Sequence, residues 1–130
     1  MAYTGTPVGF RAAMRRSVFG LSLLVSLLVL FTPAPDVPQG PDGVDKVIHV
    51  ALFAALAFTG RYAGVPGRWL VPALLAYGGI SEPLQSLPGI DRSTSLADWG
   101  ADAVGVTLGY LGTVAFTRAR SASRSRSGSG

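Results

Sequence analysis

LADWGADAVGVTLGYLGTVAFT, residues 96–117, decides the reading of this chain. Crossing about 30 Å of hydrocarbon takes about 20 helical residues, and this apolar stretch is long enough. Residues three or four apart share one side of a helix. Asp98 and Asp102 therefore lie on one face, which continues through Gly105 and Gly109. That G-x-x-x-G pair lets another helix approach closely. Carboxylates above and glycines below, along one seam, describe a central packed helix.

Three further apolar stretches precede it, at 17–32, 47–64 and 69–87. Those at 17–32 and 47–64 are short for a bilayer, a shortfall that flanking Arg and Lys can cover by snorkelling. TPAPDVPQGPDGV, at 32–44, holds four prolines, which cannot continue a helix ladder, and is read as an extended loop. Arg15 and Arg16 before the first stretch invite a signal-peptide reading. The candidate cleavage region TPAPD lacks an A-x-A sequence, and more apolar segments follow, so a retained first helix is expected.

Composition agrees with a bilayer as the solvent. Charged residues are 14% of the 130 and hydrophobic ones 48%, with mean hydropathy +0.41; soluble domains carry about 25% charged residues. The net charge of +4 does not imply nucleic acid, because the basic residues flank apolar runs instead of forming a patch. Without cysteine there is no thiol or disulfide chemistry.

Arg and Lys concentrate in cytoplasmic loops. Arg11, Arg15 and Arg16, then Arg61 and Arg68, then Arg118, Arg120, Arg124 and Arg126 alternate along the chain with Lys46 and Arg92. The expected fold is all-α: an antiparallel four-transmembrane-helix bundle of the plasma membrane with both termini cytoplasmic. Residues 1–16 form its N-terminal segment, 17–117 the membrane domain and 118–130 a disordered basic tail that contacts anionic lipid.

Under that topology every carboxylate (Asp36, Asp42, Asp45, Glu82, Asp91, Asp98, Asp102) falls on the outer side. Asp45 shares a helix face with His49, and Glu82 with Gln85. Ionisable groups at membrane depth usually face a bundle interior or a water-filled cavity. Asp45, Lys46, His49, Glu82, Gln85, Arg92, Asp98 and Asp102 are thus the candidate ligand-binding cluster, with Gly105 and Gly109 as packing residues. A purely structural cluster, solvated or ion-paired near the headgroups, fits the same pattern. Burying Glu82 alone would cost several kcal/mol, so a partner, Arg92 or His49, is expected. No cofactor or metal is expected, since no dedicated ligand spacing is present. Ser81, Ser86, Ser93 and Ser95 give no specific case for a serine nucleophile.

Asp45-Lys46-x-x-His49-x-x-x-Phe53, then Glu82-x-x-Gln85 with a Pro-Gly turn and Arg92, then Asp98 with Gly105 and Gly109, resemble in order and spacing the motifs of the VanZ-like family. The resemblance covers residues 40–112. That family commonly has Asn four residues after the closing-helix Asp, where this chain has Asp102. The resemblance implies a cell-envelope membrane protein, in a family named for a teicoplanin-resistance accessory protein, and implies no particular reaction. The leading expectation is a protein that binds an envelope component or amphiphile at the outer face and affects glycopeptide susceptibility. The alternatives are a membrane enzyme acting on a lipid-linked envelope substrate, with Glu82 or Asp98 as acid or base and His49 as proton carrier, and a structural or partner-binding membrane protein. Membrane lipids are the expected partners, and nucleic acid is not. A transporter is disfavoured, because no polar residue continues a path through the inner half.

Overall fold

The computed structural model describes residues 7–33, 43–90 and 95–128. Four α-helices and no strands are present among them: α1 (Pro7–Leu30), α2 (Val44–Tyr62), α3 (Gly67–Gln85) and α4 (Leu96–Ser127). The all-α class and the four helices agree with the sequence reading, but two boundaries differ. Helix α1 begins at Pro7, within the segment read as lying before the first helix. The stretch Phe10–Phe19 contains neither glycine nor proline, and its Arg, Ala and Met are good helix formers. Helix α4 continues ten residues beyond 117, through the tail read as disordered, and stops before Gly128. Nothing in that tail breaks a helix, and Arg124 and Arg126 in the last turn complement the negative end of the helix dipole.

Direction reverses sharply between α2 and α3. Gly64 adopts a left-handed conformation (φ 96°) just past the end of α2, where glycine pays no Cβ penalty. The amide of Val65 closes back onto the carbonyl of Gly60 at 3.0 Å. Pro66 then precedes α3 in extended geometry. At the far end Ser95 caps α4, accepting from the Asp98 amide at 3.3 Å.

The most extensive pairing is between α2 and α4, with α1 on α2 and α3 against both α2 and α4. Glycine makes the α2–α4 approach possible. A Cβ on Gly105 would overlap the carbonyl oxygen of Val50, and one on Gly109 that of Ala54. The apolar core is Leu30, Phe53, Leu56, Ala57, Leu70, Leu74 and Val106. Helix α1 is tied to α3 by a hydrogen bond between Ser26 and Tyr77 hydroxyls at 3.1 Å.

The interior is small and half polar. Among the described residues eight apolar ones are buried, alongside eight polar ones, while 21 large apolar side chains are exposed. These last include Leu21, Leu24 and Leu28 on α1, Ile80 on α3 and Val104, Leu108 and Leu111 on α4. Soluble domains bury charged groups rarely, so this distribution is inverted. Among the described helices only α1, over Gly9–Leu30 with mean hydropathy 1.7, is long and apolar enough by itself to cross a membrane.

Candidate functional site

The start of α2, the end of α3 and the start of α4 meet at one end of the bundle. Each brings a pair of polar residues spaced three or four apart. Asp45 and His49 come from α2, Glu82 and Gln85 from α3, and Asp98 and Asp102 from α4. Of these, His49, Glu82, Gln85, Asp98 and Asp102 are buried. The helical period that carries these five inward also turns apolar residues beside them outward, as with Ile48, Leu84 and Trp99.

His49 is the centre of the cluster. Its Nδ1 donates to Asp102 Oδ1 at 2.7 Å, and its Nε2 lies 3.8 Å from Asp45 Oδ2. The imidazole is therefore oriented by carboxylates on both sides. Lys46 covers the cluster from outside, with Nζ 3.6 Å from Asp98 Oδ1 and its own side chain half exposed. Asp102 is wedged against α3, where a Cβ on Gly78 would come within 2.8 Å of Oδ2. That contact leaves Oδ2 facing a glycine instead of a donor.

The expected pairing of Glu82 with His49 is not made; His49 bonds Asp102 instead. Arg92, the other expected partner of Glu82, lies outside the described residues, as do Asp36, Asp42, Asp91 and Ser93. Oδ2 of Asp102 and Nε2 of Gln85 are closed to solvent without a hydrogen-bond partner, and both carboxylate oxygens of Glu82 are closed to solvent with the backbone amide of Ser95 beside them. Buried polar groups are nearly always paired, and leaving one unpaired costs about 1–3 kcal/mol, more when it is charged. The three carboxylate oxygens are consequently a concentrated demand for hydrogen-bond donors and for positive charge, while the Gln85 amide N–H calls for an acceptor.

One donor atom from each of His49, Glu82 and Asp102 lies within 4.8 Å of the other two. A nitrogen and two carboxylate oxygens are a chemically acceptable set for a divalent transition metal with open positions. The sequence expectation of no metal rested on spacing along the chain, which does not register donors that three helices bring together.

Ser81 and Tyr77 complete the surroundings. Ser81 is buried and spends its hydroxyl on the Gly78 carbonyl at 2.9 Å, so it is no free nucleophile. Ser86 bonds its own helix at Pro83, and Ser95 is the α4 cap. Trp99 reaches across from α4 to donate its indole N–H to the Leu75 carbonyl at 3.1 Å. Neither this bond nor the Ser26–Tyr77 bond was legible in the sequence, because each depends on which helix faces which. Comparison with protein-family models, with curated proteins and with solved structures gives no match to this chain.

Proposed function

We propose that this chain is a VanZ-like multi-pass protein of the bacterial plasma membrane that binds an amphiphilic envelope component or drug at its acidic end. On this reading the four helices cross the bilayer and the acidic end faces outward, with both termini in the cytoplasm. The inverted distribution of polar and apolar side chains supports the bilayer. Helices α2 and α3, at 19 residues each, are about 28 Å long, close to the hydrocarbon thickness. Their low hydropathy has a local cause: their polar residues turn inward to meet one another. Pro72 and Pro83 within α3 also suit a membrane helix, where proline is tolerated more readily than in water.

The observation that carries the binding role is the set of buried polar atoms left unpaired or under-satisfied: three carboxylate oxygens and one amide nitrogen. A ligand that satisfies them brings ammonium, amide or hydroxyl donors for the three oxygens and an acceptor for the Gln85 amide. The apolar helix faces beside the cluster suit an acyl chain. An amphiphile with a donor-rich head meets both requirements, and teicoplanin belongs to that class. The experiment is teicoplanin susceptibility in a host expressing wild type, Glu82→Gln or Asp98→Asn at matched membrane abundance. Wild type is expected to shift susceptibility and the variants to lose the shift. An equal shift in all three would remove the acidic end from the function.

A second reading is favoured by the His49–Asp102 pair. A carboxylate that orients an imidazole beside another carboxylate is an acid–base arrangement. On that reading the chain is an enzyme acting on a lipid-linked envelope substrate. Turnover by purified protein would select it, and stoichiometric binding without product would select the first.

A further inference from the structure

At the opposite end of the bundle, α1, α2 and α4 border an open cavity of about 590 Å³ lined in part by Arg15, Arg61, Arg118, Arg120 and Arg124. We propose that this cavity is a second ligand site, for a phosphate-bearing anion, and that its occupant is the headgroup of an anionic phospholipid.

Five cations share one space with no counter-charge among the described residues. All the described carboxylates (Asp45, Glu82, Asp98, Asp102) lie at the other end, and none of the five arginines makes a salt bridge among the described residues. Their mutual repulsion is relieved by an anion in the middle. The guanidinium groups are also positioned in advance. Arg15 stacks 4.8 Å from the Tyr62 ring centroid, Arg61 5.7 Å from that of Tyr110 and Arg120 5.5 Å from that of Phe116. Arg61 also donates from one Nη to the Val65 carbonyl at 2.9 Å, and the remaining guanidinium N–H groups match phosphate oxygens in paired, parallel hydrogen bonds. Arg15 and Arg61 each hold an Nε that is closed to solvent and has no acceptor. Arg15 and Arg61 thus reach the cavity wall from two different helices, each with an N–H still to be satisfied.

The size of the cavity selects among phosphates. It falls in the range of pockets that enclose whole small molecules and is roomy for a single inorganic phosphate. Phe58 and Phe116 form part of its wall, and Phe116 is itself exposed on the outer face of α4. An acyl chain leaving the cavity would run along that face. Basic pockets between membrane helices on the cytoplasmic side bind lipid headgroups in this way. The lipid source rests on the membrane reading above; the phosphate chemistry does not.

The test is binding to the full-length chain in detergent, followed by native mass spectrometry and tryptophan and tyrosine fluorescence. The probes are short-chain phosphatidylglycerol, short-chain phosphatidylcholine, pyrophosphate and inorganic phosphate. Saturable binding of phosphatidylglycerol in preference to phosphatidylcholine is expected. Arg15→Gln/Arg118→Gln should weaken it about 25-fold, at about fivefold for each arginine facing a headgroup. Arg11→Gln/Arg16→Gln removes the same charge outside the cavity and should stay within about twofold of wild type. The single variant Arg118→Gln, at an exposed position, supplies the comparison should the double variant misfold. Pyrophosphate binding with the same arginine dependence, and no phosphatidylglycerol binding, would keep the phosphate site and overturn the lipid as occupant. Equal weakening by both double variants, or no saturable binding of any probe, would overturn the site. Phosphatidylglycerol binding that survives Glu82→Gln would separate this site from the acidic end.

Discussion

Substituting alanine for each of four glycines of α4 should give opposite signs within one helix. Gly100 and Gly112 have room: a Cβ on Gly100 meets nothing within 4 Å, and one on Gly112 meets only Phe58, at 3.6 Å. There alanine gains helix propensity of about 1 kcal/mol. At Gly105 and Gly109 the same Cβ runs into backbone carbonyl oxygens of Val50 and Ala54, with Phe53 Cβ at 3.0 Å and Ala57 Cβ at 2.9 Å. A carbonyl held in a helical ladder cannot rotate away, so α2 and α4 must move apart. Overpacking of that kind costs about 1–3 kcal/mol. Against the propensity gain, each single variant should be destabilised by about 0–2 kcal/mol, which places it about 1–3 kcal/mol below Gly112→Ala. The two sites share one interface, so Gly105→Ala/Gly109→Ala need not be additive. The assay is sodium dodecyl sulfate-titrated unfolding of the full chain in mild detergent, followed by helical circular dichroism. Gly109→Ala as stable as Gly112→Ala would refute the close α2–α4 approach, and with it the arrangement that sets His49 against Asp102.

The remaining predictions concern the polar contacts. His49→Ala and Asp102→Ala should each lose about 3–5 kcal/mol by leaving the other group buried and unpaired, and the double variant should lose clearly less than their sum; additive losses in the same titration would mean the 2.7 Å contact is absent in solution. Glu82→Gln replaces a buried carboxyl beside the Ser95 amide with a group that can still accept from it, and should leave the ligand-free protein as stable as wild type or more so, by roughly 1 kcal/mol; a large loss of stability would show that Glu82 has a further structural partner. Tyr77→Phe removes the α1–α3 hydrogen bond and should cost about 0.6 kcal/mol, the average for bonds between membrane helices, with Tyr77→Phe/Ser26→Ala costing little more. Millimolar Zn²⁺ should compete with an amphiphile at the acidic end, since both draw on Glu82 and Asp102 oxygens; undiminished ligand binding would place the ligand elsewhere.

Much of the fold was legible because helical spacing is local. The pairs Asp45/His49, Glu82/Gln85 and Asp98/Asp102 follow from residues three or four apart, and so does the shared seam of Gly105 and Gly109. The helix ends were read less well. Arginine and serine at 118–127 look like a disordered tract by composition, but no residue there stops a helix until Gly128. Contacts between helices were the least legible. Which carboxylate His49 bonds depends on the rotation of α4 against α2, and Gly78 beside Asp102 announces itself only when α3 is in place. The arginine cavity was missed for the same reason. Arg15, Arg61 and Arg118 are far apart in the chain, and each alone serves as an ordinary topology signal. Their convergence is a property of the packing.

Binding of teicoplanin by the purified full-length chain in lipid nanodiscs, compared between wild type and Glu82→Gln/Asp98→Asn, tests the central claim most directly. The account predicts saturable one-to-one binding by wild type and at least about tenfold weaker binding by the variant, the value of a lost charged hydrogen bond, with helical content unchanged. Equal affinities, or no saturable binding by well-folded wild type, would contradict it.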